Sequence, residues 1–256
     1  MIVLGDADSF PFVVSHFGVK EGLTELDDFK RKMDNYILNI MSSVNSQNYI
    51  FYLSGKDNFR KKIDAQKEYK GNRGKGEKPL WFDELRQYLV DGYKANVIHG
   101  CEADDGLSIS QLYYNNPPKT WENKYKLESC IASLDKDLQQ VPGYHLNIKT
   151  MVVTGVDEKT AYYNLWKQIL TGDTTDHVTG LEGCGGKCAE NLLNGAKQEN
   201  YPQIVLDAYK SKYGDEGEKL FKANYMLIKL MERNNNFKLP EVMNIDEVIN
   251  GLYKNT

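Results

Sequence analysis

Clustered carboxylates at the ends of apolar stretches are the feature that most restricts this chain. Glu102, Asp104 and Asp105 stand almost side by side in "CEADDG", directly after the stretch "YKANVIHG". Ionised carboxylates this close repel one another, and burial makes their ionisation still less favourable. Such a cluster is tolerated either in a solvated loop or around divalent cations. Which of the two applies depends on whether other carboxylates in the chain can join these three.

Three further segments place paired acids where an apolar stretch ends or a loop opens. They are Asp6 and Asp8 in "GDADS", Asp135 and Asp137 in "LDKDLQQ", and Asp173 and Asp176 in "GDTTD". The carboxyl ends of parallel strands lie along one edge of a sheet. The first three acidic clusters are therefore expected to converge there, and the loop that holds the fourth could join them.

Oxygen-only ligands favour Mg²⁺ or Mn²⁺ over zinc. Each acidic pair alone is more typical of a solvated loop or a helix cap, but the joint arrangement points to metal ions. Two ions about 4 Å apart can clamp a phosphodiester, so the acids suit phosphoryl hydrolysis. The four histidines share no spacing that suggests a catalytic triad.

The hydrophobic pattern predicts an α/β fold. Strand-like stretches ("MIVLGD", "NYIFYLSG", "KANVIHG", "KLESCIASLD") alternate with helical ones ("LDDFKRKMDNYILNIMSSV", "PLWFDELRQYLVDG", "EADDGLSISQLYYN"). This alternation predicts a mostly parallel central sheet flanked by helices. "HLNIKTMVVT" is predicted to be a strand or hairpin. We expect an α/β core over 1–160 and a helical region over 161–256 that packs on the core.

Composition narrows the class of protein. The 256 residues are 41% hydrophobic and 27% charged, which is typical of a globular protein. No apolar run approaches the roughly 20 residues of a membrane span, and no signal peptide is evident. The widely spaced cysteines, Cys101, Cys130, Cys184 and Cys188, predict reduced thiols and a cytoplasmic location, which would be the host cytoplasm for a viral protein. No membrane association is expected.

One segment is strongly basic although the net charge is −4. Residues 56–78 contain nine Lys or Arg against four Asp or Glu. Such a segment is either a phosphate-binding face or a solvated basic loop, and a charge run alone favours the loop.

Five motifs in order along the chain resemble those of the 5′-nuclease family. They are "GDADS", "EYKGNR", "CEADD", "DKDLQQVPG" and "GDTTDHVTGLEGCGGKCAENLL". This family comprises flap endonucleases, bacteriophage 5′–3′ exonucleases and the nuclease domain of bacterial DNA polymerase I, and the chain is most similar to the bacteriophage members. The resemblance implies a short helical arch at about 56–92 and a helix–three-turn–helix DNA-binding element at about 172–195.

The resemblance also implies site residues and cofactors. The implied ligands of a first metal ion are Asp6, Glu102 and Asp104, and Asp105 would lie near both ions. The implied ligands of a second metal ion are Asp135, Asp137, Asp173 and Asp176. The ions would be two Mg²⁺, with Mn²⁺ as a substitute, and K⁺ is a candidate at the helix–three-turn–helix. Lys70 and Arg73 would act on the scissile phosphate. DNA contacts would come from Tyr69, Gly180, Gly183, Gly185, Gly186 and Lys187.

The function that the resemblance implies is a Mg²⁺-dependent, structure-specific 5′-nuclease that acts as a monomer. Its substrates would be DNA with 5′ ends, flaps or nicks, with RNA–DNA hybrids as further candidates. One departure is Ser54, which stands where the family usually has an aspartate. Two alternatives remain open: a junction-binding protein with little catalysis, and a haloacid-dehalogenase-type phosphatase, which "DADS" and "GDTTD" superficially resemble.

Overall fold

The computed structural model describes residues 1–72, 74, 76–115, 128–232 and 237–253. The chain divides into two compact units. The first comprises Met1–Lys56, Glu77–Val156 and Met231–Thr256, and the second comprises Asp57–Gly76 and Asp157–Leu230. This division differs from the sequence-based boundary at 160, because the basic segment groups with the helical region and the C-terminal residues group with the sheet.

The first unit is built on a central sheet, and the predicted α/β fold is confirmed. Its strands are β1 (Ile2–Asp6), β2 (Asn48–Ser54), β3 (Asn96–Ile98), β4 (Ser129–Ser133), β5 (Gly143–Asn147), β6 (Val152–Val156) and β7 (Met243–Asn244). The order is β3-β2-β1-β4-β5-β6, and β7 pairs with β2. Strands β3, β2, β1, β4 and β5 run parallel, whereas β6 and β7 are antiparallel to their neighbours.

Helices account for most of the remaining described chain. They are α1 (Phe10–Lys20), α2 (Leu26–Ser43), α3 (Phe82–Asp91), α4 (Ala103–Asn115), α5 (Glu158–Thr171), α6 (Gly186–Leu193), α7 (Tyr201–Tyr213), α8 (Gly217–Ile228) and α9 (Ile245–Tyr253). Short 3₁₀ helices span Phe59–Lys62, Lys136–Gln140, Gln198–Asn200 and Gly214–Glu216. Helix α1 has no helical period in its sequence, because apolar residues lie on all its sides, and it was therefore not predicted.

The core of the first unit follows from the sequence pattern. Every residue of β1 and of β4 is buried, as expected for strands covered on both faces. Helix α2 buries Phe29, Met33 and Ile37, the face that its helical spacing predicts. The strands run as continuous apolar stretches until they reach the polar residues at their carboxyl ends.

A buried carboxylate ties three helices of the first unit together. Asp34, on α2, is 4% exposed. Its Oδ1 accepts hydrogen bonds from the hydroxyls of Tyr88 (2.8 Å) and Tyr93 (2.6 Å), and its Oδ2 accepts one from Tyr253. The hydrogen bond to Asp34 raises the pKa of Tyr253 to about 12. The cluster therefore fastens α3 and the C-terminal α9 to α2.

Replacing Asp34 with asparagine is expected to lower the free energy of unfolding by about 3 kcal/mol. The amide keeps a single oxygen acceptor for three hydroxyl donors and removes the charge that strengthens each bond. Urea unfolding measures the loss, with Asp27→Asn on the exposed face of the same helix as the matched control. Equal midpoints for the two variants would show that the tyrosine cluster does not stabilise the unit.

The second unit packs α5–α8 around its own apolar cluster, which includes Trp166, Ile169, Val205 and Tyr209. The basic segment contributes a fully buried arginine to this unit. The Nε of Arg60 donates to the carbonyl of Leu227 (2.9 Å), and its Nη2 donates to the carbonyl of Lys229 (3.1 Å). Arg60 therefore satisfies carbonyls at the end of α8 that the helix itself leaves without partners.

No helix in the described part of the chain combines the length and the apolar character that crossing a membrane requires.

Candidate functional site

Asp6 is a buried carboxylate at the carboxyl end of β1. It is 8% exposed, and its Oδ2 accepts a hydrogen bond from the hydroxyl of Ser133 (2.8 Å) at the end of β4. Strands β1 and β4 are parallel neighbours, so their ends meet at one edge. Burial raises the pKa of Asp6 to about 7, and the nearby charges of Asp8 and Asp135 add to the effect. A positive ion beside Asp6 would relieve this cost.

Ser133 also connects Asp6 to the "DKD" motif. The backbone N–H of Asp135 donates to the hydroxyl oxygen of Ser133 (2.9 Å), while the Oδ1 of Asp135 accepts the N–H of Asp137 (2.8 Å). Asp135 is exposed, Asp137 is half-buried, and Asp135 caps the 3₁₀ helix Lys136–Gln140. The structure therefore links Asp6 and Asp135 through a serine that the sequence analysis did not select.

The "CEADD" motif opens α4, with Glu102 and Asp104 half-buried at its start. Asp105 is fully buried. Its Oδ2 accepts the N–H of Glu102 (3.0 Å), and its Oδ1 accepts the N–H of Met231 (3.0 Å). Each carboxylate oxygen of Asp105 therefore binds a backbone N–H group, which fixes the start of α4 in addition to the predicted metal role of this residue.

Ser54 stands at the end of β2 in a network with Asp8 and Arg86. Asp8 accepts the N–H of Ser54 (2.9 Å) and a hydrogen bond from Nη1 of Arg86 (2.6 Å), and Nη2 of Arg86 donates to the Ser54 carbonyl. The hydroxyl oxygen of Ser54 accepts the N–H of Ala103 (2.9 Å) at the start of α4. Position 54, where the resemblance implies an acid, therefore holds a serine that is bonded to an arginine–aspartate pair. Sequence spacing gave no signal for it.

The donor chemistry of this edge suits a hard divalent ion, because Asp8 and Asp135 present carboxylates close enough to Asp6 to affect its ionisation. Among the residues that the structure describes, however, no group of three or more His, Cys, Asp or Glu side chains is arranged to hold a metal ion. The carboxylates of this edge therefore have the chemistry that a divalent ion prefers, but among the described residues three of them are not arranged as ligands of one ion.

The "GDTTD" motif is a tight loop in the second unit. Asp173 and Val178 exchange two backbone hydrogen bonds (2.8 and 2.7 Å), and Oδ1 of Asp173 accepts the N–H of Thr175 (2.6 Å). Gly172 and Gly180 both have φ near +70° where the loop closes. A Cβ on Gly172 would lie 2.4 Å from the Val178 carbonyl oxygen. The two glycines are therefore required by this close approach of backbone.

Asp176 anchors the basic segment at Tyr69 and Lys70. Its Oδ2 accepts the hydroxyl of Tyr69 (2.7 Å), and its carbonyl accepts the N–H of Lys70 (2.9 Å). The Nζ of Lys70 lies 3.5 Å from Oδ2 of Asp176, on a backbone with φ of +58°. Tyr69 is 6% exposed and packs in the apolar cluster, so it offers little surface for the predicted DNA contact. Arg73 lies outside the described residues.

The glycine-rich stretch after this loop leaves an open surface at the start of α6. Gly185 is the N-cap of α6 and supplies no side-chain cap, while Gly183 has φ of +83°. A Cβ built on Gly183, Gly185 or Gly186 would meet nothing within 4 Å. The first N–H groups of a helix have no partner within it, so this surface is suited to an anion. Lys187 is exposed beside it.

Two cysteines in this stretch correct the sequence analysis. Cys184 and Cys188 form a disulfide, so the prediction of four reduced thiols is wrong for this pair. One turn at the start of α6 brings their Cα atoms to 5.1 Å, which is within the usual range for a disulfide. Cys101 and Cys130 are buried and keep their thiols.

A cleft of about 960 Å³ opens in the first unit between α1 and α2. Phe12 and Phe17 of α1 line it and are each about half exposed, and Leu134, next to Asp135 in sequence, lines it as well. The sequence analysis missed this apolar surface. Adjacent exposed aromatic residues in "FPFVVSHF" were the signal that could have indicated it.

Comparisons with known proteins agree with the resemblance. A curated 5′-3′ exonuclease of Mycoplasmopsis pulmonis (strain UAB CTIP) is 29% identical over 177 residues. The match covers 63% of this chain and 55% of the relative, so the chain spans about half the length of the curated relative that it matches. No protein-family model matches the chain.

Three solved bacteriophage T5 structures share the fold, and each covers 89% of this chain. A protein co-crystallised with metal ions has a TM-score of 0.59, 18% identity and 88% of its own length covered. A flap endonuclease in a pseudo-enzyme–product complex with DNA and metal ions has a TM-score of 0.54 and 17% identity, with 98% of its own length covered. A 5′-exonuclease with bound zinc has a TM-score of 0.53 and 18% identity, with 99% of its own length covered. By sequence the chain is similar to a curated 5′-3′ exonuclease, and by fold it is similar to the bacteriophage T5 structures.

Proposed function

We propose that this chain is a divalent-metal-dependent 5′-nuclease that hydrolyses phosphodiesters of DNA near junctions between single and double strands. The observation that carries the proposal is Asp6 at the carboxyl end of β1, bonded to Ser133 at the end of β4, where burial raises its pKa to about 7 and the charges of Asp8 and Asp135 add to the effect. A carboxylate in this environment at a sheet edge is a candidate for binding a cation. The T5 structures that share the fold include one in complex with DNA and metal ions.

The ions would be two Mg²⁺, with Mn²⁺ as a substitute. Asp6, Glu102 and Asp104 would hold the first ion at the edge of the sheet, with Asp105 close to both ions. Asp135 and Asp137 would hold the second ion, and Asp173 and Asp176 remain predicted ligands of it. Bound Mg²⁺ would supply Lewis-acid stabilisation of the charge that develops on the phosphate. Ser133 would orient Asp6 and Asp135 for this role, because it bonds to both.

Residues of the second unit would act on the phosphate backbone. Lys70 would offset negative charge on the scissile phosphate, and Asp176 would hold it in position through the contacts described above. The N–H groups at the start of α6 would seat another phosphate beside Lys187, and K⁺ is a further candidate at this loop. These contacts recognise the phosphate backbone and the shape of the DNA, so the identity of the bases should have little effect on binding or cleavage.

Cleavage of end-labelled DNA flap, nicked-duplex and RNA–DNA hybrid substrates, with and without Mg²⁺ or Mn²⁺, tests this proposal. We expect metal-dependent products that end in a 5′-phosphate and a 3′-hydroxyl. A small phosphate ester serves as the control substrate. Metal-dependent turnover of that ester with intact DNA would contradict the proposal and favour a phosphatase.

A second candidate function is junction binding with little catalysis. The absence of a three-ligand group among the described residues and the serine at position 54 favour it. Tight binding to the flap without cleavage at saturating Mg²⁺ and Mn²⁺ would support this reading over the nuclease.

A further inference from the structure

The disulfide between Cys184 and Cys188 encloses the glycine-rich surface at the start of α6. The residues inside it are Gly185, the N-cap of α6, followed by Gly186 and Lys187. Two of these three are glycines with no neighbouring atom near a Cβ position, so packing does little to restrain their backbone. The covalent bond therefore restrains the N–H groups at this helix end in addition to the backbone hydrogen bond from Ala189 to the carbonyl of Gly185 (3.0 Å).

The two sulfurs differ in their surroundings. Cys184 is 5% exposed and belongs to the apolar cluster of the second unit, where its N–H donates to the carbonyl of Leu181 (2.9 Å). Cys188 is half-buried in the first turn of α6, next to the exposed Lys187. The positive end of a helix and a neighbouring cation both stabilise a thiolate. Cys188 is therefore the better nucleophile, and Cys184 is placed to resolve it.

We propose that Cys184 and Cys188 form a redox modification site that low-molecular-weight disulfides oxidise and thiols reverse, and whose oxidised form organises the loop for phosphate binding. The Cys188 thiolate attacks an external disulfide such as glutathione disulfide, forming a mixed disulfide and releasing one thiolate. Cys184, having lost its proton to solvent, attacks the Cys188 sulfur and releases the second thiolate. Two cysteine thiols are oxidised, and one external disulfide is reduced to two thiols.

The effect on binding rests on the proposed function, since it requires that this loop contacts DNA phosphates. The bond removes backbone freedom across Gly185 and Gly186 before any ligand arrives. Organising a binding loop in advance lowers the entropy lost on association. We expect the oxidised protein to bind a nicked duplex about tenfold more tightly than the reduced protein.

The experiment uses the full chain after equilibration with glutathione disulfide or with dithiothreitol. Alkylation under denaturing conditions, followed by peptide mass spectrometry, counts thiols at each cysteine. The oxidised sample should lose alkylation at Cys184 and Cys188 while retaining it at Cys101 and Cys130. Alkylation of all four cysteines after oxidation would overturn the proposed site.

Affinity for the nicked duplex is then measured in EDTA, which prevents cleavage. Cys188→Ser should bind like the reduced wild type and show no redox response, and Cys184→Ala should repeat this result. Equal affinities of the oxidised and reduced wild type would overturn the effect on binding. If neither form binds DNA, the proposed function and the control of binding both fail, whereas the thiol count still decides whether the pair forms a bond.

Discussion

Replacing Asp135 with asparagine is expected to slow single-turnover cleavage of a DNA flap by about a thousandfold or more. The change removes one negative charge from the sheet edge where Asp6 and Asp135 influence each other. It preserves local structure, because the amide oxygen can still accept the N–H of Asp137 and the backbone N–H still donates to Ser133. A loss of rate would therefore report the missing charge, and DNA affinity in EDTA should change little.

Asp91→Asn is the matched control for this prediction. Asp91 is an exposed carboxylate at the end of α3, where it accepts a hydrogen bond from Gln87 (2.9 Å). The Asp91→Asn variant should cleave the DNA flap at the wild-type rate. Binding of Mn²⁺ measured by calorimetry should weaken for the Asp135 variant and stay unchanged for the Asp91 variant. Wild-type turnover by Asp135→Asn would show that the acidic edge is not the metal site.

Replacing Lys70 with alanine is expected to reduce the single-turnover rate by about a hundredfold while weakening DNA affinity only a few-fold. Lys70 contributes one charge among several basic residues of its segment, so its loss costs little binding. Its expected role is to stabilise charge that develops on the scissile phosphate. Alanine also has a Cβ, so the left-handed backbone at this position costs about as much as before. The anchor of the segment through Tyr69 and Asp176 is kept.

Lys67→Ala is the control, because Lys67 is exposed three residues earlier in the same basic segment. Both variants remove one positive charge, but the charge removed with Lys70 lies 3.5 Å from Asp176. The rate for Lys67→Ala should stay within a few-fold of wild type. An unchanged rate for Lys70→Ala would remove this residue from the proposed site, whereas equal losses for both variants would indicate a non-specific effect of charge.

Local sequence patterns identified most of the helices and strands. The face of α2 was predictable because helical spacing places Phe29, Met33 and Ile37 on one side. Gly172 and Gly180 belong to the motif "GDTTDHVTG" that the sequence resemblance identified. The structure shows why glycine is needed at both positions, because the backbone segments of the loop approach each other too closely for a Cβ. Helix α1 was missed because apolar residues on all its faces hide the period that identifies a helix.

The partners of the candidate site could not be predicted in the same way. Ser133 bonds to Asp6, which is 127 positions away, and Arg86 pairs with Asp8, which is 78 positions away. Nothing in the local sequence indicates such pairs. The role of Asp105 as a backbone anchor likewise depends on Met231, which is 126 positions away.

The sequence by itself determined the parallel sheet with acids at its carboxyl edge and the glycine loop that opens α6. These features follow from local hydrophobic periodicity and from the conformational freedom of glycine, which act over a few residues. The bond between Cys184 and Cys188 follows from the local conformation at the start of α6, which the sequence did not indicate. Only the tertiary structure decided that Asp6 is buried and that an arginine–aspartate pair adjoins Ser54. Burial and charge pairing depend on which distant segments pack together, and one-dimensional spacing carries little of that information.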